Sequence, residues 1–404
     1  MSLPSQAVVL AGGISRRLAP FNQAQNKAEL TLMGRPILSW TLGSLQLAGF
    51  TEVVVVINPH MQLDDAYWSE WQTAFQKVSV VVQPISNGQA GALLAARSVL
   101  AERFVVVNAN HFTAHEQLGV FESVQTPAAL LITPTTQPQL YGVVTFDPAS
   151  MLARSVVEKP SSIPDQPHRL VGIYQLNSEF ISELAKREIT ETSLEQLLND
   201  WAQQDRISCR VTTTELPSLK YAWQLLACKE VLWPRVDFHI AETAIIAPTA
   251  LIRGEVYIGD GALIADYAII DGPAYIGAHA VVGQYCVVRK GSVLETGAQI
   301  QRHGDISNSI LMQDAQVHSG FVGDSIIGAR TKIGAGFITA NRRLDRAEIY
   351  TYVQGKKIAT GLTSLGALIG PDTRIGIHSG TMPNVLIQAN STVSAGTIVT
   401  HNIE

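Results

Sequence analysis

From Ile240 onward an aliphatic residue returns every six positions. Ile240, Ile246, Ile252, Ile258, Ile264, Ile270, Ile276, Val282, Val288, Leu294 and Ile300 keep one register, and the spacing resumes at Ile369, Ile375, Thr381, Ile387, Val393 and Val399, with Ile327 and Ile333 between. A period of six is neither the 3.6 of a helix nor the 2 of a simple strand. It is the signature of a hexapeptide parallel β-helix. The aliphatic side chain is expected to point inward. The small residue after it, as in IGDGAL, IGAHAV and VGQYCV, is expected to let the chain turn. One coil cannot bury its own inner face, so stability comes from stacking. Two interruptions of the period are expected, near Gln301 to Asp305 and over the polar stretch Asn341 to Thr360. Loops that leave a rigid solenoid are more often functional than structural.

The first part reads differently. AVVL (7–10), EVVVVI (52–57), VSVVV (78–82), FVVVNA (104–109) and ALLIT (129–133) are β-branched runs typical of buried strands. Helical stretches lie between or after them, at Ile37 to Ala48, Gln89 to Ala101, Ser193 to Gln203 and near Tyr221 to Val231. Alternation of this kind predicts an α/β, Rossmann-like domain with a mostly parallel sheet. The expected division is 1–235 and 236–404, with the break near Trp233 to Phe238. All 6 Trp lie at or before Trp233 and 21 of the 31 Gly lie after it, so two compositions are joined in one chain.

Several classes are excluded on composition. A net charge of −5 gives no electrostatic case for nucleic acid. No window approaches the roughly 18 uncharged apolar residues of a membrane span. The opening MSLPSQAVVLAGG lacks a basic region and runs straight into a strand, which reads as no signal peptide. Cys209, Cys228 and Cys286 are odd in number and far apart, the usage of a reducing cytoplasm.

The first strand runs into LAGGISRRLAPFNQAQNKAEL (10–30). A Gly-rich turn after a strand lets backbone N–H groups approach phosphate oxygens, and Arg17 and Lys27 supply positive charge. It is neither the dinucleotide GxGxxG nor the Walker sequence. The string resembles the signature of the nucleotidyltransferase superfamily, and the resemblance runs through GRPIL (34–38), Gln83, GQAGALLAA (88–96), Tyr141–Gly142, VVEKP (156–160) and VGIYQLN (171–177). It implies transfer of a nucleotidyl group from a nucleoside triphosphate to a hexose-1-phosphate. Ala11, Gly12, Gly13, Gln83 and Gly88 are the implied nucleotide contacts, and Arg17 and Lys27 the implied catalytic cations. Gly142, Glu158 and Lys159 are the implied sugar-phosphate contacts. The resemblance also implies Mg²⁺, but Asn110 and Ser218 occupy the family's two Asp positions, and Leu170 replaces a family Asn. His111 and His115 have no HExxH or Cys partner; both are expected to be loop histidines, with His111 able to line the nucleotide cleft. Asp64, Asp65 and Asp205 are expected to be solvated, and Tyr257, Tyr267, Tyr275 and Tyr285 to be outward or interface residues.

VHSGFVGDSIIGARTKIGAGFITANRRLD (317–345) resembles the acetyltransferase half of bifunctional glucosamine-1-phosphate acetyltransferase/uridylyltransferases of archaeal type. The resemblance implies a left-handed β-helix, acetyl-coenzyme A as co-substrate, a homotrimer, and His318 as the base that takes a proton from the attacking amine. Taken alone, His318 reads as a polar residue at a coil turn; it is the motif around it that makes it a base. Asn341, Arg343 and Asp345 match the motif, with Asn341 and Arg343 implied to hold sugar phosphate. Phe321, Ser307 and GLTSLGA (361–367) depart from the family's Tyr, Lys and basic segment. Two functions follow: a sugar-1-phosphate nucleotidyltransferase/acetyltransferase, or a catalytically reduced paralogue that binds nucleotide or sugar phosphate for regulation or assembly.

Overall fold

The computed structural model describes residues 3–13, 15–21, 26–61, 63–214, 219–353 and 355–403. They form two compact bodies, one of residues 1–14, 26–29 and 37–216, the other of residues 15–25, 30–36 and 217–404.

The first body is built on one nine-stranded sheet. Its strands are β1 (Gln6–Leu10), β2 (Glu52–Ile57), β3 (Lys77–Val82), β4 (Arg103–Asn108), β5 (Ala128–Pro134), β6 (Gly142–Phe146), β7 (Ala153–Glu158), β8 (His168–Asn177) and β9 (Ile207–Val211). Their order is β9-β5-β8-β4-β1-β2-β3, with β6 joined to β8 and β7 to β6. The sheet is mixed. Neighbours in β4-β1-β2-β3 and in β9-β5 are parallel, while β8 runs antiparallel to β4, β5 and β6. The five runs predicted as strands are strands; the antiparallel ones were legible only as family segments.

Side chains alternate across the strands with a period of two. Val8, Val54, Val106 and Leu130 face one apolar cluster, which α3 (Gly88–Ala95), α5 (Ser178–Leu184) and α6 (Ser193–Ala202) cover with Leu93, Phe180, Leu197 and Trp201. Ala7, Val9, Val55 and Val107 face the other, covered by Leu38, Leu42 and Leu45 of α1 (Ile37–Leu47), Trp71 of α2 (Asp65–Ala74) and Leu118 of α4 (His115–Leu118). A buried side chain of this size contributes about 1.5–3 kcal/mol. Helix α3 stops at Ala95, short of the Ala101 expected. Arg97 and Val99 donate to the carbonyls of Leu94 and Ala96, three residues back, so the chain tightens out of the α-helix there.

The second body is a left-handed parallel β-helix with three sheets of eight, eight and seven strands, followed from its N-terminal side by α7 (Leu225–Leu232). Equivalent residues of successive coils pair in parallel, as Ile264 with Val282 and Ile276 with Leu294. The inward aliphatics form one continuous core.

The turn opens on the small residue after the aliphatic, whose carbonyl accepts from the N–H three residues on, as Gly259 from Ala262 at 3.2 Å and Gly277 from Ala280 at 3.2 Å. Many of these corners place a left-handed residue three positions after the aliphatic, as at Tyr267, His279, Tyr285, Asp314, Arg330, Asp372 and Asn390. The glycine after the aliphatic also serves coil stacking: a Cβ on Gly277 would lie 2.7 Å from the Thr296 nitrogen, and one on Gly334 2.8 Å from the Ile377 nitrogen. One expectation about the repeat is corrected: the period does not break at Gln301 to Asp305. Strands Gln299–Arg302 and Gly304–Ser307 carry Ile300 and Ile306 in register. The slips follow, as five-residue spacings from Ile306 to Leu311, Val317 to Val322 and Val322 to Ile327. The later interruption is real. It holds the antiparallel hairpin Tyr350–Val353 with Lys356–Ala359.

Residues 30–36 belong to this second body. Thr31–Leu32 pairs with Arg35–Pro36, and at the tip the Met33 and Gly34 N–H groups donate to Glu295 at 2.6 and 2.9 Å. Gly34 has φ 74°, and a Cβ there would strike the Tyr275 hydroxyl, so the tip admits only glycine. Burial raises the Glu295 pKa to about 7, against the pull of those two N–H groups.

Candidate active sites

In the first body, β1 and β4 are adjacent and parallel, and the Gly-rich turn and Asn110 follow their C-terminal ends, the edge at which open α/β sheets bind ligands. After β1, Ala11 and Gly12 are buried and Gly13 is exposed. Asn26 laces this turn: its Nδ2 donates to the carbonyls of Ala11 at 3.3 Å and Gly13 at 3.0 Å. A Cβ on Gly12 would meet Gln83 Oε1 at 2.9 Å, so the turn lies against the Gln83 carboxamide. Gln83 in turn donates to Asn87 Oδ1 at 3.0 Å and the Gly88 carbonyl at 3.2 Å, tying the turn to the start of α3.

Lys27 points across this end of the sheet. Its Nζ donates to Asn110 Oδ1 at 2.8 Å, two residues past β4. The next residue, His111, lies in a loop as expected and is buried there, and neither ring nitrogen has a hydrogen-bond partner among the described residues. Desolvation first, then the charges of Lys27 and Arg169, lower its pKa to about 3, although the Val171 and Gly172 backbone favours the charged form. His115 opens α4, and its Nδ1 shares a 2.9 Å hydrogen bond with Ser44 Oγ.

The sugar-phosphate candidates lie together. Lys159 N donates to the Tyr141 carbonyl at 2.9 Å, and Lys159 Nζ pairs with Glu158 at 3.1 Å. A Cβ on Gly142 would lie 3.0 Å from Glu158 Oε2 and 2.9 Å from Leu170 Cδ1. The sequence reading passed over Arg169, stacked 4.6 Å from the Tyr141 ring centroid, and Glu195, whose pKa is raised by burial and by Glu158. Nothing in a linear motif marks Glu195, which comes from α6. Arg17 lies in the second body, 6.0 Å from the Tyr221 ring centroid. Ser218 lies outside the described residues.

In the β-helix, His318 is exposed and lines a groove of about 450 Å³. The groove wall is a ladder of outward residues, Gln316, Lys332, Arg374 and Thr392, each directly before an inward aliphatic and paired in register. Lys332 and Arg374 were missed, though their place one residue before Ile333 and Ile375 was a usable signal. Asn341 and Arg343 do not line this groove. Arg343 is held by Asp345 at 2.8 and 2.5 Å. Asn341 Nδ2 donates to Asp324 Oδ2 at 2.5 Å, and Asp324 Oδ1 accepts from Asn308 at 2.5 Å. Asn308 Oδ1 accepts from the buried Lys229 of α7 at 2.8 Å. Of the four repeat tyrosines, Tyr267 and Tyr285 are exposed and stacked, and Tyr275 is buried against Tyr257.

An α/β body with a Gly-rich turn and paired cation at its strand ends, joined in one chain to a hexapeptide β-helix, defines a transferase of two-domain type. The nucleotidyl transferase family model matches residues 6–211, and the chain belongs to that family. The bacterial transferase hexapeptide (six repeats) model matches residues 255–290. The chain is similar to the bifunctional sugar-1-phosphate nucleotidylyltransferase/acetyltransferase of Sulfurisphaera tokodaii, 25% identical over 98% of both chains. It is similar to the bifunctional protein GlmU of Methanocaldococcus jannaschii, 26% identical over 98% of this chain and 95% of that one. Mannose-1-phosphate guanylyltransferase 1 of Arabidopsis thaliana is 28% identical over 47% of this chain and 54% of its own.

These likenesses imply, in general terms, a metal ion and an acyl-coenzyme A donor. The residues at the strand ends do not suit a divalent metal. The Asn110 side-chain oxygen is taken by an ammonium, and the charges acting on His111 are both positive. Among the described residues no three His, Cys, Asp or Glu side chains come together as a metal site. Hard divalent cations take carboxylate oxygens. Among the described residues no helix is long and apolar enough to cross a membrane.

Proposed function

We propose that the chain is a sugar-1-phosphate nucleotidyltransferase and amino-sugar-phosphate acetyltransferase of nucleotide-sugar synthesis, with residues 1–235 serving the first reaction and 236–404 the second. The observation that carries the first half is Lys27, held 2.8 Å from Asn110 at the C-terminal ends of adjacent parallel strands. A phosphate oxygen of the hexose-1-phosphate attacks the α-phosphorus of the nucleoside triphosphate, a P–O bond forms, and pyrophosphate leaves with the electrons of the broken P–O bond. Such transfers need positioning and positive charge more than covalent chemistry. Lys27 supplies the charge, the backbone of Ala11, Gly12 and Gly13 cradles the phosphates, and Gln83 with Gly88 borders the base. Gly142 leaves room for the sugar beside Glu158, which accepts its hydroxyls, and Lys159 meets its phosphate.

In the second half His318 takes the proton of the attacking amine, the amine nitrogen bonds to the acetyl carbon, and the coenzyme A thiolate leaves. Asn341 and Arg343 are the proposed sugar-phosphate contacts and acetyl-coenzyme A the donor. Exposed Ile338, Ile377 and Ile398 on the β-helix support self-association, proposed as a homotrimer in the cytoplasm.

The test is a pair of assays on the full chain. Nucleoside triphosphates with hexose-1-phosphates should release pyrophosphate, and acetyl-coenzyme A with amino-sugar phosphates should release thiol. Nucleotide binding without either release would instead identify a catalytically reduced paralogue.

A further inference from the structure

The outward ladder of the β-helix groove carries a charge pattern that the fold does not need. The positions directly before the inward aliphatics run in register through one eight-stranded sheet, from Ile245 by way of Gln299 and Gln316 to Lys332, Arg374 and Thr392. Lys332 and Arg374 are the charged residues of that ladder, and they stand on neighbouring coils, paired directly with each other. Adjacent strands lie about 4.8 Å apart, and like charges side by side at that spacing repel. Stacking alone would be served better by a neutral residue, such as the Gln316 and Thr392 that flank the pair. Both cations are exposed, and both line the groove of about 450 Å³ that His318 also lines. Among the described residues no acidic side chain lines that groove. The carboxylate closest to the pair in sequence, Asp372, feels Arg374 but is engaged by Arg330 at 2.8 and 2.6 Å. An anion with several oxygens can accept from both rungs at once and turn their repulsion into binding.

We propose that Lys332 and Arg374 form a phosphate-binding pair beside His318, holding the phosphate of a substrate whose reacting group lies at the imidazole. This rests on the reading of the β-helix as an acetyltransferase. Two substrates of that reading carry phosphate, the coenzyme A donor and the amino-sugar-phosphate acceptor, and the test tells them apart. The full chain is titrated calorimetrically with coenzyme A, with glucosamine-1-phosphate, and with their phosphate-free counterparts pantetheine and glucosamine. Lys332→Met and Arg374→Met should each weaken at least one of the phosphorylated ligands by about tenfold. The ligand that weakens is the source of the phosphate. Pantetheine and glucosamine should treat parent and variants alike, and Lys332→Arg, which keeps the charge, should bind like the parent. Both phosphorylated ligands binding the two methionine variants as they bind the parent overturns the proposal. So does Lys332→Arg losing as much as Lys332→Met, or neither phosphorylated ligand binding the parent. Charge-dependent binding without thiol release from acetyl-coenzyme A overturns the acetyltransferase reading instead and leaves the phosphate pair standing.

Discussion

The fully buried ammonium of Lys229 donates to Asn308 Oδ1 at 2.8 Å, and also to Glu230. Through Asn308 and Asp324 the line of hydrogen bonds ends on Asn341. Burial lowers the Lys229 pKa, with the Glu230 carboxylate opposing the shift. An ammonium kept in such a place orders the groups around it. Lys229→Met should therefore leave Asn308 Oδ1 without its donor and let Asn341 drift. The expected outcome is a rise in KM for the amino-sugar phosphate of about tenfold, a loss of roughly 1.4 kcal/mol of binding. Turnover at saturation and pyrophosphate release should be little changed. A fall in turnover with KM unaltered would contradict the positioning role.

Glu295 sets a pH dependence of stability. Its folded pKa, about 7, lies above the ordinary 4.5, so the folded state holds the proton more tightly than the unfolded chain. Stability from this group is complete below pH 4.5 and falls as the pH rises to about 7. The span is on the order of 3 kcal/mol. Glu295→Gln should remove that slope, although losing one acceptor for Met33 or Gly34 lowers stability at every pH. Urea denaturation across this pH range measures it, and a slope unchanged in the variant would count against the assignment.

Gly277→Ala tests the stacking role of the glycine after each aliphatic. The new methyl would sit 2.7 Å from the Thr296 nitrogen in the next coil, where backbone cannot give way cheaply. A loss of about 1–3 kcal/mol is expected, read as a lower Tm. Gly119→Ala, where nothing lies within 4 Å and φ is −56°, adds the same methyl without the clash and isolates the steric effect.

His318→Ala should lower acetyl transfer by about 10²–10⁴-fold, the usual contribution of a general base. Pyrophosphate release should not change, since His318 belongs to the β-helix body. Thiol release at the parental rate would return His318 to a corner residue.

The repeat was legible because every sixth position had to be apolar, whatever else varied. What escaped depends on contacts between distant segments. No local pattern tells that Thr31–Pro36 ends against Glu295, a contact 262 residues away in sequence. The polar run Gln301 to Asp305 suggests a break, but the five-residue spacings begin only after Ile306 and leave no mark in composition. Asn110 was noticed as a missing carboxylate, but only the fold shows Lys27 reaching its oxygen. His111 reads as a loop histidine able to line the nucleotide cleft, and it does lie in a loop, but no neighbouring residue in sequence tells that it is buried.

The shortened corner has its own consequence. His318 stands in the interval from Val317 to Val322, one residue shorter than the common repeat. Adding one residue between them would restore the regular count and leave every inward aliphatic on its own layer. Such a chain should stack and melt much like its parent, yet carry the imidazole on a corner of different curvature. Durability and reactivity in this solenoid are thus written in separate ways, the first in the recurrence of six and the second in the places where the count runs short.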